Sequence, residues 1–114
     1  MADCIFCSII SGEIPSTKVY EDEKILAFRD INPVAPTHIL FIPKEHIASV
    51  DEITAENAPI VAHIFTVLAE TARSLGLSKD GYRVVSNIGE SAGQTVPHLH
   101  FHLIAGRDFS ATLG

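Results

Sequence analysis

The segment His98-Leu99-His100-Phe101-His102-Leu103-Ile104 constrains this chain more than any other. Successive side chains of a strand point to opposite faces. A strand here buries Leu99, Phe101 and Leu103 on one side and presents His98, His100 and His102 on the other. Like charges at short range disfavour one another's protonation. At least one of three neighbouring imidazoles should then be neutral near pH 7, able to act as nucleophile, base or metal ligand. A protonated neighbour would be the acid. Taken alone, the segment also allows half-buried structural histidines, or a surface patch that chelates zinc or nickel.

Other elements follow from spacing and punctuation. Asp3 is a good N-cap for a short helix through Ile5, Phe6, Ile9 and Ile10, stopped by Gly12. Lys18 to Tyr20 and Ile25 to Arg29 form two strands around a polar turn, and His38 to Ile42 forms a third after the rigid loop Asn32 to Pro36. Ile60, Val61, Ile64, Val67, Leu68 and Leu75 follow helical spacing, with Asn57 as cap, Pro59 in the first turn and Gly76 at the end. Tyr82 to Asn87 is a fourth strand and His98 to Ile104 a fifth. The expected fold is α+β: a five-stranded antiparallel meander sheet with one long and one short helix, in one domain over residues 1–114.

Composition narrows the function. The chain has 114 residues, 14 acidic against 8 basic side chains, and a net charge of −6. A chain of this length buries roughly two-thirds of its unfolded surface, enough for a core. Polymeric nucleic acid is a poor partner for an acidic chain without a basic run, whereas one small phosphate ligand can be held by backbone amides. No apolar stretch approaches the roughly 20 residues of a membrane span. The opening Met-Ala-Asp-Cys lacks a signal-peptide pattern. A cytoplasmic protein without membrane partners is expected.

The loop Gly89 to Val96 lies directly before the histidine segment. It offers backbone amides, the freedom of Gly93, the Gln94 amide and the Thr95 hydroxyl, the ingredients of a phosphate site. An ordinary connection has the same composition; proximity to the histidines favours the phosphate site.

Together these features resemble the histidine triad (HIT) family, and its Hint branch in particular. The pattern His-φ-His-φ-His-φ-φ, with φ apolar, is matched in full by residues 98–104. The resemblance extends through Cys4 to Pro15, Phe28 to His38, Ile42-Pro43-Lys44-Glu45-His46 and Gly81 to Asn87. It implies a hydrolase or transferase of purine nucleotides, acting at an α-phosphorus through a covalent nucleotidyl-histidine. His100 would be the nucleophile, with His102 and His38 holding the phosphate and sharing proton transfer, and His98 completing the triad. Asn87, Gln94 and Thr95 would donate to the phosphate or leaving group, beside Gly93 and Val96. Thr95 stands where the Hint branch usually has Ser. Asp30 would accept from the ribose, and Ile5, Phe6, Ile9, Ile31 and Phe41 would contact the base.

The resemblance also implies AMP and GMP phosphoramidates as substrates and a homodimer formed through the long helix and a strand edge. The tail after Arg107 lacks the Trp found in some Hint proteins. Cys4-x-x-Cys7 is half a zinc site by spacing. The resemblance completes it with His46 and His98; a redox pair, two buried thiols or a relic site stay open. His63 receives no role. The competing functions are a dinucleoside polyphosphate hydrolase, a nucleotide-binding adaptor with incidental hydrolysis, and a zinc hydrolase built on the triad.

Overall fold

The computed structural model describes residues 4–114. Its strands are β1 (Lys18–Glu21), β2 (Ile25–Arg29), β3 (Thr37–Pro43), β4 (Arg83–Val85) and β5 (Phe101–Ala105). Its helices are α1 (Ile5–Ser11) and α2 (Ala58–Ser74), with 3-10 turns at Val50–Glu52 and Glu90–Ala92. All five strands pair antiparallel, in the spatial order β1-β2-β3-β5-β4. The meander therefore holds only for the first three strands. After α2 the chain enters at the outer edge as β4 and returns as β5 beside β3.

The sheet separates two apolar clusters. Ile25, Ala27, Ile39, Phe41, Leu99, Phe101 and Leu103 pack beneath Ile64, Val67, Leu68 and Ala72 of α2. Leu26, Phe28, Leu40 and Ile42 meet Phe6 and Ile9 of α1 on the other face. β2 and β3 are buried on both faces, so they read as apolar runs without alternation. Phe41 belongs to the α2 side and is fully buried, which removes it from the expected base contacts.

Local differences have local causes. The N-cap of α1 is Cys4, whose Sγ accepts from the Cys7 amide; the expected cap Asp3 lies outside the described residues. Gly12 ends α1 in the left-handed region as expected. Asn57 caps α2 without a side-chain bond, because its Oδ1 accepts from the Thr54 amide instead. β4 stops at Val85, where the Ser86 hydroxyl takes over by donating to the His100 carbonyl. The stretch 98–100 falls outside β5 because the Leu99 amide donates to Ile47 in a loop, at 2.6 Å, and not to a strand. The alternation survives nonetheless, with Leu99 buried under α2.

Asp22 closes the β1–β2 hairpin. Its carboxylate accepts from the amides of Lys24 and Ile25, the Tyr20 hydroxyl and, at 2.6 Å, His63 Nε2 of α2. Burial pushes the Asp22 carboxyl up, but these donors outweigh it and hold it well below the usual carboxylate range. His63 thus joins α2 to the hairpin. At the far end of the sheet, Gly106 lies against Pro36, just before β3 begins.

Gly106 has φ of +101° and a Cβ there would sit 2.8 Å from Pro36 Cβ, whereas Gly12 at φ +88° faces open space. Gly12→Ala should cost about 1 kcal/mol from its backbone conformation, and Gly106→Ala more, up to about 3 kcal/mol. Thermal denaturation of both variants checks this; equal losses would mean that Pro36 gives way freely.

Candidate active site and metal cluster

The α1-facing side of the sheet carries the polar groups. Register places His102 of β5 opposite Leu40 of β3, and Ile104 opposite His38. His38 Nε2 lies 2.8 Å from His102 Nδ1, and the His100 and His102 ring centroids are 5.0 Å apart. Phe6 of α1 stands edge-on to both His98 and His100, at 5.8 and 5.1 Å between centroids.

The hydrogen-bond partners assign the protons. A carbonyl only accepts, so His100 Nδ1, 2.6 Å from the His98 carbonyl, carries the hydrogen. This leaves the lone pair on His100 Nε2. The Val34 amide donates to His38 Nδ1 at 3.1 Å, so neutral His38 carries its proton on Nε2 and donates it to His102 Nδ1. Neutral His102 then holds its own proton on Nε2.

Burial lowers the pKa values of His38, His98 and His100 below the ordinary 6.5, with Asp30 opposing this at His38 and His100. His102 is pushed down to about 4 by burial and by its neighbours His100 and His38. Sequence reasoning named mutual repulsion; desolvation adds to it and favours the neutral form at all four sites.

His98 is sealed from solvent and both its ring nitrogens are engaged. Nε2 donates to the Pro43 carbonyl at 2.9 Å, and Nδ1 faces Cys4 Sγ at 3.3 Å and Cys7 Sγ at 3.6 Å. His98 thus leaves the set of groups that can touch substrate. His46 Nδ1 lies 3.3 Å from Cys7 Sγ, and all four donor atoms fall within 4.8 Å of one another. Two thiols, the unprotonated Nδ1 of His98 and the Nδ1 of His46 fit a closed tetrahedral zinc site, and the Pro43 contact orients one ligand from outside. Burial and Cys4 push the Cys7 thiol up, an effect that a metal ion would reverse.

Asp30, His38 and His102 also approach one another, with Asp30 Oδ2 3.4 Å from His38 Nε2. This second group fits a metal poorly, because the Val34 amide occupies the lone pair of His38 Nδ1 and leaves a proton on Nε2.

The other expected residues divide. Ile5 and Ile31 are exposed, with Ile31 at 88%, whereas Phe6 and Ile9 are buried against Phe28. Asp30 uses Oδ1 to accept from the Asn32 amide in a turn, leaving Oδ2 toward His38. Asn87 lines a recess beside His38 and His102. Val96 packs on the α1 cluster, Thr95 is exposed, and Gly93 adopts φ +96°. Gln94 differs from expectation. Its Oε1 accepts from Gly89, and its Nε2 donates to the Ala48 and Val96 carbonyls, so the side chain braces the loop and points no free donor at a phosphate.

Sequence reasoning missed the carbonyl of Pro43, the hydroxyl of Ser86 and the amide of Val34. Backbone partners leave no trace in residue type. It also gave no role to Phe28, which stands edge-on to Phe6 at 5.6 Å, because β2 reads as a continuous apolar run.

The HIT domain family model matches residues 11–109. The chain belongs to the HIT family. A HIT family hydrolase from Clostridium thermocellum superposes with a TM-score of 0.96 at 49% identity, covering 100% of this chain and 99% of that one. The purine nucleoside phosphoramidase of Escherichia coli K12 is 44% identical over 97% of this chain and 93% of its own. A 14 kDa zinc-binding protein from Zea mays is 50% identical over 93% of this chain and 84% of its own. The HIT fold accounts for the five-stranded sheet and two helices, and the family supports hydrolase chemistry. Among the described residues no helix is long and apolar enough to cross a membrane.

The depressed histidine pKa values give stability a sign with pH. Unfolded His102 takes up a proton near 6.5, whereas folded His102 resists it to about 4. Its contribution is therefore full above 6.5 and is lost as pH falls toward 4, by up to about 1.4 kcal/mol per pH unit. Urea denaturation of wild type and His102→Gln should show their difference shifting against wild type across this window. A difference constant with pH would contradict the assignment.

Proposed function

We propose that this chain is a nucleotide hydrolase of the phosphoramidase kind. It binds purine nucleoside monophosphate derivatives and cleaves a P–N bond at the α-phosphorus. One observation carries the reading: the His98 carbonyl fixes the His100 proton on Nδ1 and frees Nε2, beside a hydrogen-bonded His38–His102 pair. The phosphoramidase relative supports the choice of substrate.

In this scheme the His100 Nε2 lone pair attacks phosphorus. The P–N bond breaks, its electron pair stays with the amine nitrogen, and the amine leaves with a proton. Water then attacks phosphorus, the P–His100 bond breaks, and nucleoside monophosphate departs with the imidazole restored. Splitting one displacement into two lowers each barrier. His102 Nε2–H is the free donor of the pair and would hydrogen-bond a phosphate oxygen, with His38 orienting His102 through the Nε2–Nδ1 bond. A bound anion raises the pKa of nearby imidazoles, so the depressed His102 becomes a proton carrier only with substrate in place. Asp30 Oδ2 is the ribose acceptor, and Ile5, Ile31 and Phe6 border the base.

The Cys4–Cys7–His46–His98 cluster is read as a structural zinc site on the fit of its donors. Bound zinc would tie α1 to the loop before β5. The protein acts as a homodimer in this reading; the exposed Phe65 on α2 and the β4 edge of the sheet support it.

Steady-state hydrolysis of adenosine phosphoramidate beside diadenosine triphosphate tests the function. P–N cleavage should dominate, and His100→Ala should lower it on the order of a thousandfold or more while AMP still binds. A preference for the dinucleotide, or a His100→Ala variant that keeps its rate, would overturn it. For the metal, elemental analysis should find zinc in the purified protein and none in Cys4→Ser/Cys7→Ser. Chelation should cost about 3–4 kcal/mol of stability, the coupling for metal at a hundred to a thousand times its Kd. A metal-free protein that added zinc leaves unchanged in Tm would refute the site.

A further inference from the structure

The register of the sheet divides the histidine floor into two sides. On the α1-facing side one row runs Phe28, Leu40, His102 and Val85 across β2, β3, β5 and β4. Phe28, with Phe6 packed on it, lies on the β2 side of His102, and Asp30 follows at the end of β2. On the β4 side a recess of about 190 Å³ opens, with His38 and His102 as its inner wall and Val34, Val85, Asn87 and Ile104 around it.

The recess is more than a gap between side chains. Its three aliphatic residues come from three places: the loop before β3, β4 and β5. Val34 is 56% exposed. Its backbone is nevertheless held on both sides. The amide donates to His38 Nδ1 at 3.1 Å, and the carbonyl accepts from Arg107 Nε at 2.9 Å. Arg107 is in turn stacked on Phe109, with 4.3 Å from its guanidinium carbon to the ring centroid. The Val34 backbone is therefore held in place at the mouth of the recess.

We infer that this recess is the leaving-group subsite and that it takes an apolar, ring-bearing substituent on the amine nitrogen. The inference rests on the phosphoramidase reading. With phosphorus at His100 and the nucleoside on the β2 side, as the phosphoramidase reading has them, the β4 side is left open for the substituent on nitrogen. Three aliphatic walls reward apolar surface removed from water. An apolar cavity of about 150 Å³ accepts a benzene ring, so a phenyl group fits the space. A cationic substituent finds no carboxylate there, since the recess is lined by none and Asp30 lies beyond His38. The amine nitrogen departs with its electron pair and a proton as above; the recess touches the substituent and not the reacting atoms. Val34, Val85 and Ile104 are thus specificity-determining residues.

The test compares adenosine phosphoramidates whose nitrogen bears hydrogen only, a 2-phenylethyl group, or an aminoalkyl chain with a terminal ammonium. The readout is the ratio of kcat/KM values within each variant, which cancels general damage to the site. Val34→Ser should lower the preference for phenylethyl over hydrogen about five- to tenfold. Val34→Asp should move the preference from phenylethyl toward the ammonium compound, a gain that mere disruption would not produce. Ratios unchanged in both variants would overturn the subsite. So would unchanged ratios in Val34→Ser with an altered sedimentation coefficient, which would assign this face to contact with a second copy of the chain. If wild type turns over none of the three compounds, the phosphoramidase reading fails. The recess is then judged separately from the calorimetric Kd values of the same compounds and variants: a tighter phenylethyl compound weakened by Val34→Ser sustains it, and equal Kd values overturn it.

Discussion

The contacts of His98 organise the rest of the molecule. Its ring faces the Cys4 and Cys7 thiols through Nδ1 and donates to the Pro43 carbonyl through Nε2, while its own carbonyl accepts the His100 Nδ1 proton at 2.6 Å. One buried residue thereby links α1, the end of β3 and the proposed nucleophile, His100. The arrangement answers a physical problem. A nucleophilic imidazole needs one nitrogen unprotonated and aimed outward, and a fixed acceptor on the other nitrogen is the direct way to obtain that. A backbone carbonyl does so without introducing a charge. The ring beyond it, anchored at both nitrogens, keeps that carbonyl in place.

Desolvation sets the electrostatics around this anchor. Four histidines share a small volume, and burial, joined by like-charge repulsion at His98 and His102, lowers their pKa values and favours the neutral form. Neutrality makes the hydrogen-bond chain from the Val34 amide through His38 to His102 directional, since each ring has one donor and one acceptor. A negatively charged phosphate reverses the balance, because it supplies the opposite charge that the protein withholds. The nearby carboxylate of Asp30 moderates the depression without cancelling it.

Much of this was legible in the residues. The alternation from His98 to Ile104 identified both the polar floor and the buried face, because side-chain direction in extended chain is a local property. The spacing of Cys4 and Cys7, with His46 and His98 supplied by family resemblance, named four donors that the fold brings within 4.8 Å of one another. Less legible were the groups that act through the main chain. Val34 and Pro43 contribute an amide and a carbonyl to the histidines, and their residue types announce neither. Gln94 shows the converse. Its amide looks made for a phosphate, yet its loop folds so that the same donors reach Ala48 and Val96.

The amino-acid sequence by itself determined the strand pattern, the two helices, the histidine nucleophile candidate and the ligand set, since these depend on spacing along one element or on motif identity. Tertiary structure alone decided which face Phe41 occupies, that β5 lies between β3 and β4, and that the His98 ring is sealed from solvent beneath the sheet. The reason is common to all three. Each depends on what lies across the sheet or beneath it, and such long-range pairing is chosen by the burial of whole faces, to which each residue contributes only a small part.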